Sequence, residues 1–238
     1  MKTANLIIFF ISVMPFTARP QPTPLYPNEL KFAGFTWGIK AHAEAMGPGS
    51  NLFGLHKKNV YVDRHGRLNL SIRKTKHGWS CAELASHTMV HNGKYEFTIE
   101  TDISRLKPNM VVGLFLYNDL NPPAYDEIDI EFSRWGRPEG KNAQFVVHQK
   151  GKFEKNRFSI PKGIKKSTHS IEITNDSIIF TSKWTGGSAG HITAKPPSFS
   201  LTGLRIRLNL WLCQPCHLPV RYPKVVVSGV TYTPARPL

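Results

Sequence analysis

Short runs of β-branched and aromatic residues recur along this chain every ten residues or so, each closed by Gly, Pro, Asn or Asp. Such spacing accommodates strands and turns and little else. The runs fall at 59–62, 68–73, 94–100, 111–117, 127–132, 143–148, 170–174, 177–181, 205–212 and 224–230. Asp63-Arg64-His65-Gly66 separates two of them and Asn175-Asp176 another two, which predicts hairpin connections. No sustained helical periodicity interrupts the series, so the expected architecture is an all-β sandwich or jelly roll and not an α/β fold. A length of 238 residues suits one large domain of this kind, and 40% hydrophobic residues supply a sizeable core.

The ends and the charge add context. Lys2 precedes an apolar run from Leu6 to Met14, with small residues at Thr17-Ala18, as in a signal peptide over residues 1–18. A Pro-rich linker over 19–27 then leads into a domain at 28–236. No stretch reaches the ~18 apolar residues of a membrane span, so the expected product is a secreted or periplasmic monomer. A formal charge of +15 favours anionic partners, but the basic residues are scattered and form no phosphate-tracking stripe, so nucleic acid is not an expected partner. Cys213-Gln214-Pro215-Cys216-His217 has haem-attachment spacing, yet it ends a strand-like run; a local disulfide or two idle thiols fits better. Cys81 is then left as a free, buried thiol.

Four acidic residues of this basic chain fall within the six positions from Asp126 to Glu131. On a strand, Glu127, Asp129 and Glu131 share one face, while Ile128, Ile130 and Phe132 share the other and anchor in the core. Three adjacent carboxylates repel one another, which a purely structural strand has little cause to tolerate. Residues four apart lie about 13–14 Å apart at Cα, and two Glu side chains leaning inward approach the ~5–5.5 Å carboxyl separation of retaining glycosidases. One carboxylate then attacks the anomeric carbon while the other, its pKa raised, protonates the leaving oxygen, with Asp129 tuning both. A solvated face and a divalent-metal site remain alternatives on pattern alone.

Asp126-Glu127-Ile128-Asp129-Ile130-Glu131-Phe132 resembles the signature of family 16 glycoside hydrolases. Further similarity runs through Gly47-Pro48-Gly49-Ser50-Asn51, Gly113-Leu114-Phe115-Leu116-Tyr117, Asn142-Ala143-Gln144-Phe145 and Asn209-Leu210-Trp211, in the family's order. The resemblance implies a concanavalin A-like β-jelly-roll of two curved antiparallel sheets, with a polysaccharide bound on the concave one. It implies an endo-acting hydrolase that retains configuration, with Glu127 as nucleophile, Asp129 as helper and Glu131 as general acid and base. No cofactor or metal is required by that chemistry. A transglycosylase acting on cell-wall glycan and a non-catalytic carbohydrate-binding protein are the alternatives.

By the same resemblance Asn51, Glu83, Phe115, Tyr117, Gln144, Asn209 and Trp211 are substrate-binding positions, with Trp79 and Trp135 as further stacking candidates. His148 stands where the licheninase branch carries tyrosine, Val146 where it carries asparagine and Ala85 where it carries arginine. The bond-breaking set thus matches while part of the sugar-reading set departs, and the glycan is left open between β-glucan and related, including acidic, polysaccharides.

Overall fold

Alternate burial makes a sheet two-faced, and Gly93–Ile99 shows it plainly, with residues 93, 95, 97 and 99 buried and the three between them half-exposed. The structure, a computed structural model, describes residues 26–118, 126–149, 152–196, 198–213 and 223–235. In chain order the strands are β1 (Asn28–Phe32), β2 (Phe35–Ile39), β3 (His42–Met46), β4 (Asn51–Phe53), β5 (Val60–Val62), β6 (Leu68–Ser71), β7 (Arg73–Thr75), β8 (Gly78–Met89) and β9 (Gly93–Ile99). After a 3₁₀ turn at Ile103–Arg105 come β10 (Met110–Asn118), β11 (Asp126–Phe132), β12 (Ala143–Gln149), β13 (Lys152–Phe158), β14 (Ser167–Ile173), β15 (Ser177–Trp184), β16 (Gly187–Ala194), β17 (Leu204–Leu212) and β18 (Lys224–Pro234).

They form two sheets. The larger runs β1-β2-β8-β17-β10-β11-β12-β13, with β3, β4 and β7 attached beside β8, and the smaller runs β16-β15-β14-β9-β18-β6-β5. Pairing is antiparallel except between β4 and β8. The core lies between the sheets: Ile128, Ile130 and Phe132 of β11 are at most 1% exposed. Phe145 of β12 stacks on Phe180 of β15 at 5.1 Å, and Phe132 meets the buried His169 of β14 at 4.7 Å. The apolar face expected of β11 is therefore the face that fastens it to the second sheet.

All ten runs read from the sequence are strands or the core of strands, save that the 68–73 run ends at Ser71 and Arg73 opens a separate strand. Eight strands carried no clear signal. β8 is continuously buried from Ser80 to Ser86, which erases the period of two. β13 is an edge strand without an apolar run, and β16 is half small residues. Residues 1–25, which hold the expected signal peptide, lie outside the described residues, as does Cys216, so the expected Cys213 pairing is not described. Tyr26, in the stretch expected as linker, donates from its hydroxyl to Glu83 at 3.2 Å. Cys81 is buried as expected, its thiol 3.4 Å from Asn51 Oδ1. Among the described residues no helix is long and apolar enough to cross a membrane.

Candidate active site

Antiparallel pairing aligns side chains of neighbouring strands on one face, and on the outer face of the large sheet this generates three rows. Through Glu131 the row reads Glu83, Asn209, Gly113, Glu131, Gln144, Arg157. Through Asp129 it reads Ala85, Arg207, Phe115, Asp129, Val146, Lys155. Through Glu127 it reads Arg205, Tyr117, Glu127, His148, Phe153. The three carboxylates thus occupy the middle of a groove, with a cavity of about 300 Å³ on the β10–β17 side and one of about 470 Å³ on the β12–β13 side. All three line both cavities, and so does Pro48, from the turn that overhangs them. Asp126, the fourth acid, points the other way and accepts the Ser200 N–H at 3.1 Å.

Small residues create the room. A Cβ on Gly113 would stand 2.6 Å from Asn209 Oδ1, so glycine here lets the Asn209 amide lie beside Glu131. Gly49 has φ +68, and a Cβ there would meet Leu212 O at 2.6 Å and the Trp211 ring at 2.8 Å. The overhanging turn is held by Asn51, whose amide donates to Pro48 O at 2.8 Å and Leu212 O at 2.9 Å.

Burial dominates the electrostatics. Asp129 is 4% exposed, and loss of water, followed by the charges of Glu127 and Glu131, raises its pKa well above the usual carboxylate range. Glu127 is raised by burial too, and its hydrogen bond with Asp129 opposes the rise. The shared hydrogen bond thus lowers Glu127, which burial lifts to about 8, and raises Asp129, so Asp129 is the later of the two to give up its proton. Burial pushes Glu131 up to about 7, against the hydrogen bond from Gln144 and the charge of Arg157. His148 Nε2 lies 3.7 Å from Asp129 Oδ2, and burial lowers its pKa. Glu127, Asp129 and His148 offer donor atoms within 4.8 Å of one another, a carboxylate–imidazole set that a divalent cation could also occupy.

On the β10–β17 side the wall is a buried charge cluster. Glu83, 1% exposed, accepts from Lys40 Nζ at 3.2 Å and Arg207 Nη1 at 3.1 Å. The Arg207 guanidinium also lies 4.4 Å from the Tyr117 ring centre. Asn209, which lines this cavity, has its Oδ1 buried over Gly113 with no hydrogen-bond partner.

Of the residues expected from sequence, Glu127, Asp129 and Glu131 come together. Glu83, Phe115, Tyr117, Asn209 and Trp211 line the first cavity, and Trp135, Gln144 and His148 the second. Two lie outside both linings. Asn51 lines neither cavity, because both its donors are engaged by backbone carbonyls, and Trp79 lies at the start of β8 away from both. Glu83 lines the wall, where its Oε1 accepts from Tyr26, Lys40 and Arg207 and its Oε2 from Lys40, so it orders these cations. Lys40, Arg207, Arg137, Lys155, Arg157 and Phe153 were not anticipated; single cations among 31 Lys and Arg carry no local signal.

The family model described as glycosyl hydrolases family 16 matches residues 51–185, more than half of the chain. No match emerges among curated proteins. Solved structures do match. A Bacillus licheniformis β-glucanase superposes with TM-score 0.65 at 20% identity, covering 89% of this chain and 96% of that one. An immunostimulatory antigen and pseudo β-1,3-glucanase of Mycobacterium tuberculosis gives 0.66 at 15%, over 84% and 91%. A family 16 endo-glucanase from Bacteroides ovatus, in complex with G4G3G-2F-DNP, gives 0.65 at 13%, over 83% and 94%. At these identities the likeness is one of fold.

Proposed function

We propose, starting from the fact that the chain belongs to glycosyl hydrolase family 16, that it cleaves a β-linked polysaccharide internally and with retention of configuration. The observation that carries this reading is the alignment of Glu127, Asp129 and Glu131 across the middle of a groove with a cavity on either side. A groove continuing past the carboxylates in both directions suits a bond inside a long chain. The glucanase neighbours lend support, and one of them is bound to an oligosaccharide derivative.

In the first step the ionised Glu127 attacks the anomeric carbon. The bond to the glycosidic oxygen breaks, and that oxygen takes the proton of Glu131, whose pKa burial raises to about 7. Asp129, protonated and buried, donates to Glu127 and fixes the oxygen that attacks. In the second step Glu131, now a carboxylate, takes a proton from water, the hydroxide adds to the anomeric carbon and Glu127 leaves. The two inversions restore the original configuration. Gln144, donating to Glu131 at 2.7 Å, orients the group through both steps.

One neighbour is a pseudo-glucanase, which makes glycan binding without turnover the second reading. A panel of β-glucans, xyloglucan and plain and sulfated galactans, given to the wild type and to Glu127→Gln, separates the two. Products from the wild type alone support hydrolysis. Equal products from both, or none from either, overturn it. Following the first-formed anomer by NMR tests the stereochemistry, and initial inversion removes Glu127 from the nucleophile's role.

A further inference from the structure

β13 reads Lys-Phe-Glu-Lys-Asn-Arg-Phe, and the period of two sorts it by face. Glu154 turns to the second sheet, where Thr193 Oγ1 donates to it at 2.8 Å and His191 lies 3.0 Å away. Phe153, Lys155 and Arg157 turn to the cleft and line its larger cavity, and Arg137 joins them from the turn beyond Trp135. The strand's acidic residue is thus placed outside the cleft together with Lys152, and Lys155 and Arg157 inside it.

None of Arg137, Lys155 and Arg157 forms an ion pair with a carboxylate among the described residues. Arg157 is half-buried, with its Nε enclosed and without a hydrogen-bond partner; one Nη donates to the carbonyls of Ser133 and Lys141. Arg137 is near enough to repel it, and the charge of Glu131 offsets this only in part. Lysines on an edge strand are explained by the need to block further strand pairing. Two guanidiniums brought together over a cleft are not, because each raises the cost of the other. A neutral sugar would leave that repulsion in place, whereas a sulfate or carboxylate between the forks would relieve it and accept their hydrogen bonds.

The surroundings suit a sugar. Phe153 is 58% exposed beside the His148 ring, 5.7 Å away, and Trp135 faces the same cavity. Arg157 and Lys155 stand two strands from Glu131 and Asp129, or about 10 Å at the usual strand spacing. The charged group would therefore belong to a sugar neighbouring the one under attack.

We propose that the β12–β13 half of the cleft is a subsite for an anionic sugar unit, bearing a sulfate ester or a carboxylate held by Arg137, Lys155 and Arg157. The proposal rests on the reading of this groove as a glycan site and names the class of glycan it takes.

The test uses the full chain carrying Glu127→Gln, so that binding is read without turnover. Calorimetry compares oligosaccharides of one β-glucan backbone in unmodified, sulfated and carboxymethylated form. Binding of a charged form about ten-fold or more tighter than the neutral one, with the advantage fading as NaCl rises, is expected. Arg137→Gln and Arg157→Gln should each lower that charged-to-neutral ratio about ten-fold. Lys162→Gln with Lys165→Gln, which removes twice the charge of either cleft variant from the loop ahead of β14, should leave it unchanged. The stronger of the two charged arms identifies the group. A ratio near one, or a ratio lowered as much by the loop pair as by the cleft variants, overturns the subsite. Should Arg157→Gln not fold, the exposed Lys155→Gln serves, with a ratio unaffected by it counting against the proposal. Absence of hydrolysis by the wild type would remove the catalytic reading without touching this binding result.

Discussion

Gln144 Nε2 donates to Glu131 Oε2 at 2.7 Å from the position directly opposite it on β12. A hydrogen bond given to a carboxylate favours the charged form, so Gln144 restrains the rise that burial imposes on Glu131. In Gln144→Leu that restraint is gone. The alkaline limb of kcat/KM, which reports loss of the Glu131 proton, should move up by about half to one pH unit after allowance for partial exposure. A pH–rate profile of the variant beside the wild type checks this, and a downward shift would contradict the assignment of Glu131 as the acid.

The same burial links the site to stability. A carboxylate whose folded pKa lies above its unfolded value binds protons more tightly when folded, so its contribution to stability falls as pH rises from the ordinary range towards the folded value. For Glu131 the window runs from 4.5 to about 7. Glu131→Gln removes the group that has to ionise, so its Tm advantage over the wild type should grow across that window. With solvent screening, about 1–2 kcal/mol is expected, or roughly 2–8 °C in a domain of this size. Paired thermal melts from about pH 4.5 to pH 7.5 give the comparison, and taking the difference cancels the effect of the chain's general positive charge.

What could be read from sequence divides along physical lines. Glu127–Phe132 was legible because its faces differ as sharply as residues can, carboxylates on one side and Ile128, Ile130 and Phe132 on the other. β8 was not, although it carries Glu83, because both of its faces are covered and its sequence Cys-Ala-Glu-Leu-Ala has no alternation to read. Asn51 belongs to a recognisable cleft motif, and in the folded chain it braces the overhanging turn. The motif places that turn, and only the folded chain shows the amide bound to Pro48 O and Leu212 O. Arg207 and Arg157 gave no signal because their significance lies in register, opposite Phe115 and Gln144, across strands distant in sequence.

Glu83 is the counter-ion for two buried cations, and the consequence of its removal follows from their burial. Lys40 and Arg207 are each 5% exposed, and desolvation lowers the Lys40 pKa despite the partner. In Glu83→Ala both lose their anion in a region closed to water, at a cost of about 3–5 kcal/mol. Glu83→Gln keeps the acceptor and should cost less. Urea unfolding of the two variants reads the difference, and equal, small losses would show that the cluster is better hydrated than its burial implies.

Asp129 offers the sharpest test of how the three carboxylates share their protons. If it holds a proton and donates to Glu127, Asn at this position preserves the donor and removes only the capacity to ionise, whereas Ala removes the donor itself. Asp129→Ala should lower kcat by about 10²-fold, the usual effect of deleting one oriented donor, and raise the pKa of Glu127 so that the acid limb moves to higher pH. Asp129→Asn should retain at least about ten-fold more activity than Ala and keep the acid limb near its wild-type position. It should also be the more stable protein above neutral pH, because a buried carboxylate between two others no longer has to be neutralised. Steady-state kinetics across pH on both variants decides the matter; Asn as damaging as Ala would mean that Asp129 acts through its charge, with the proton residing on Glu127.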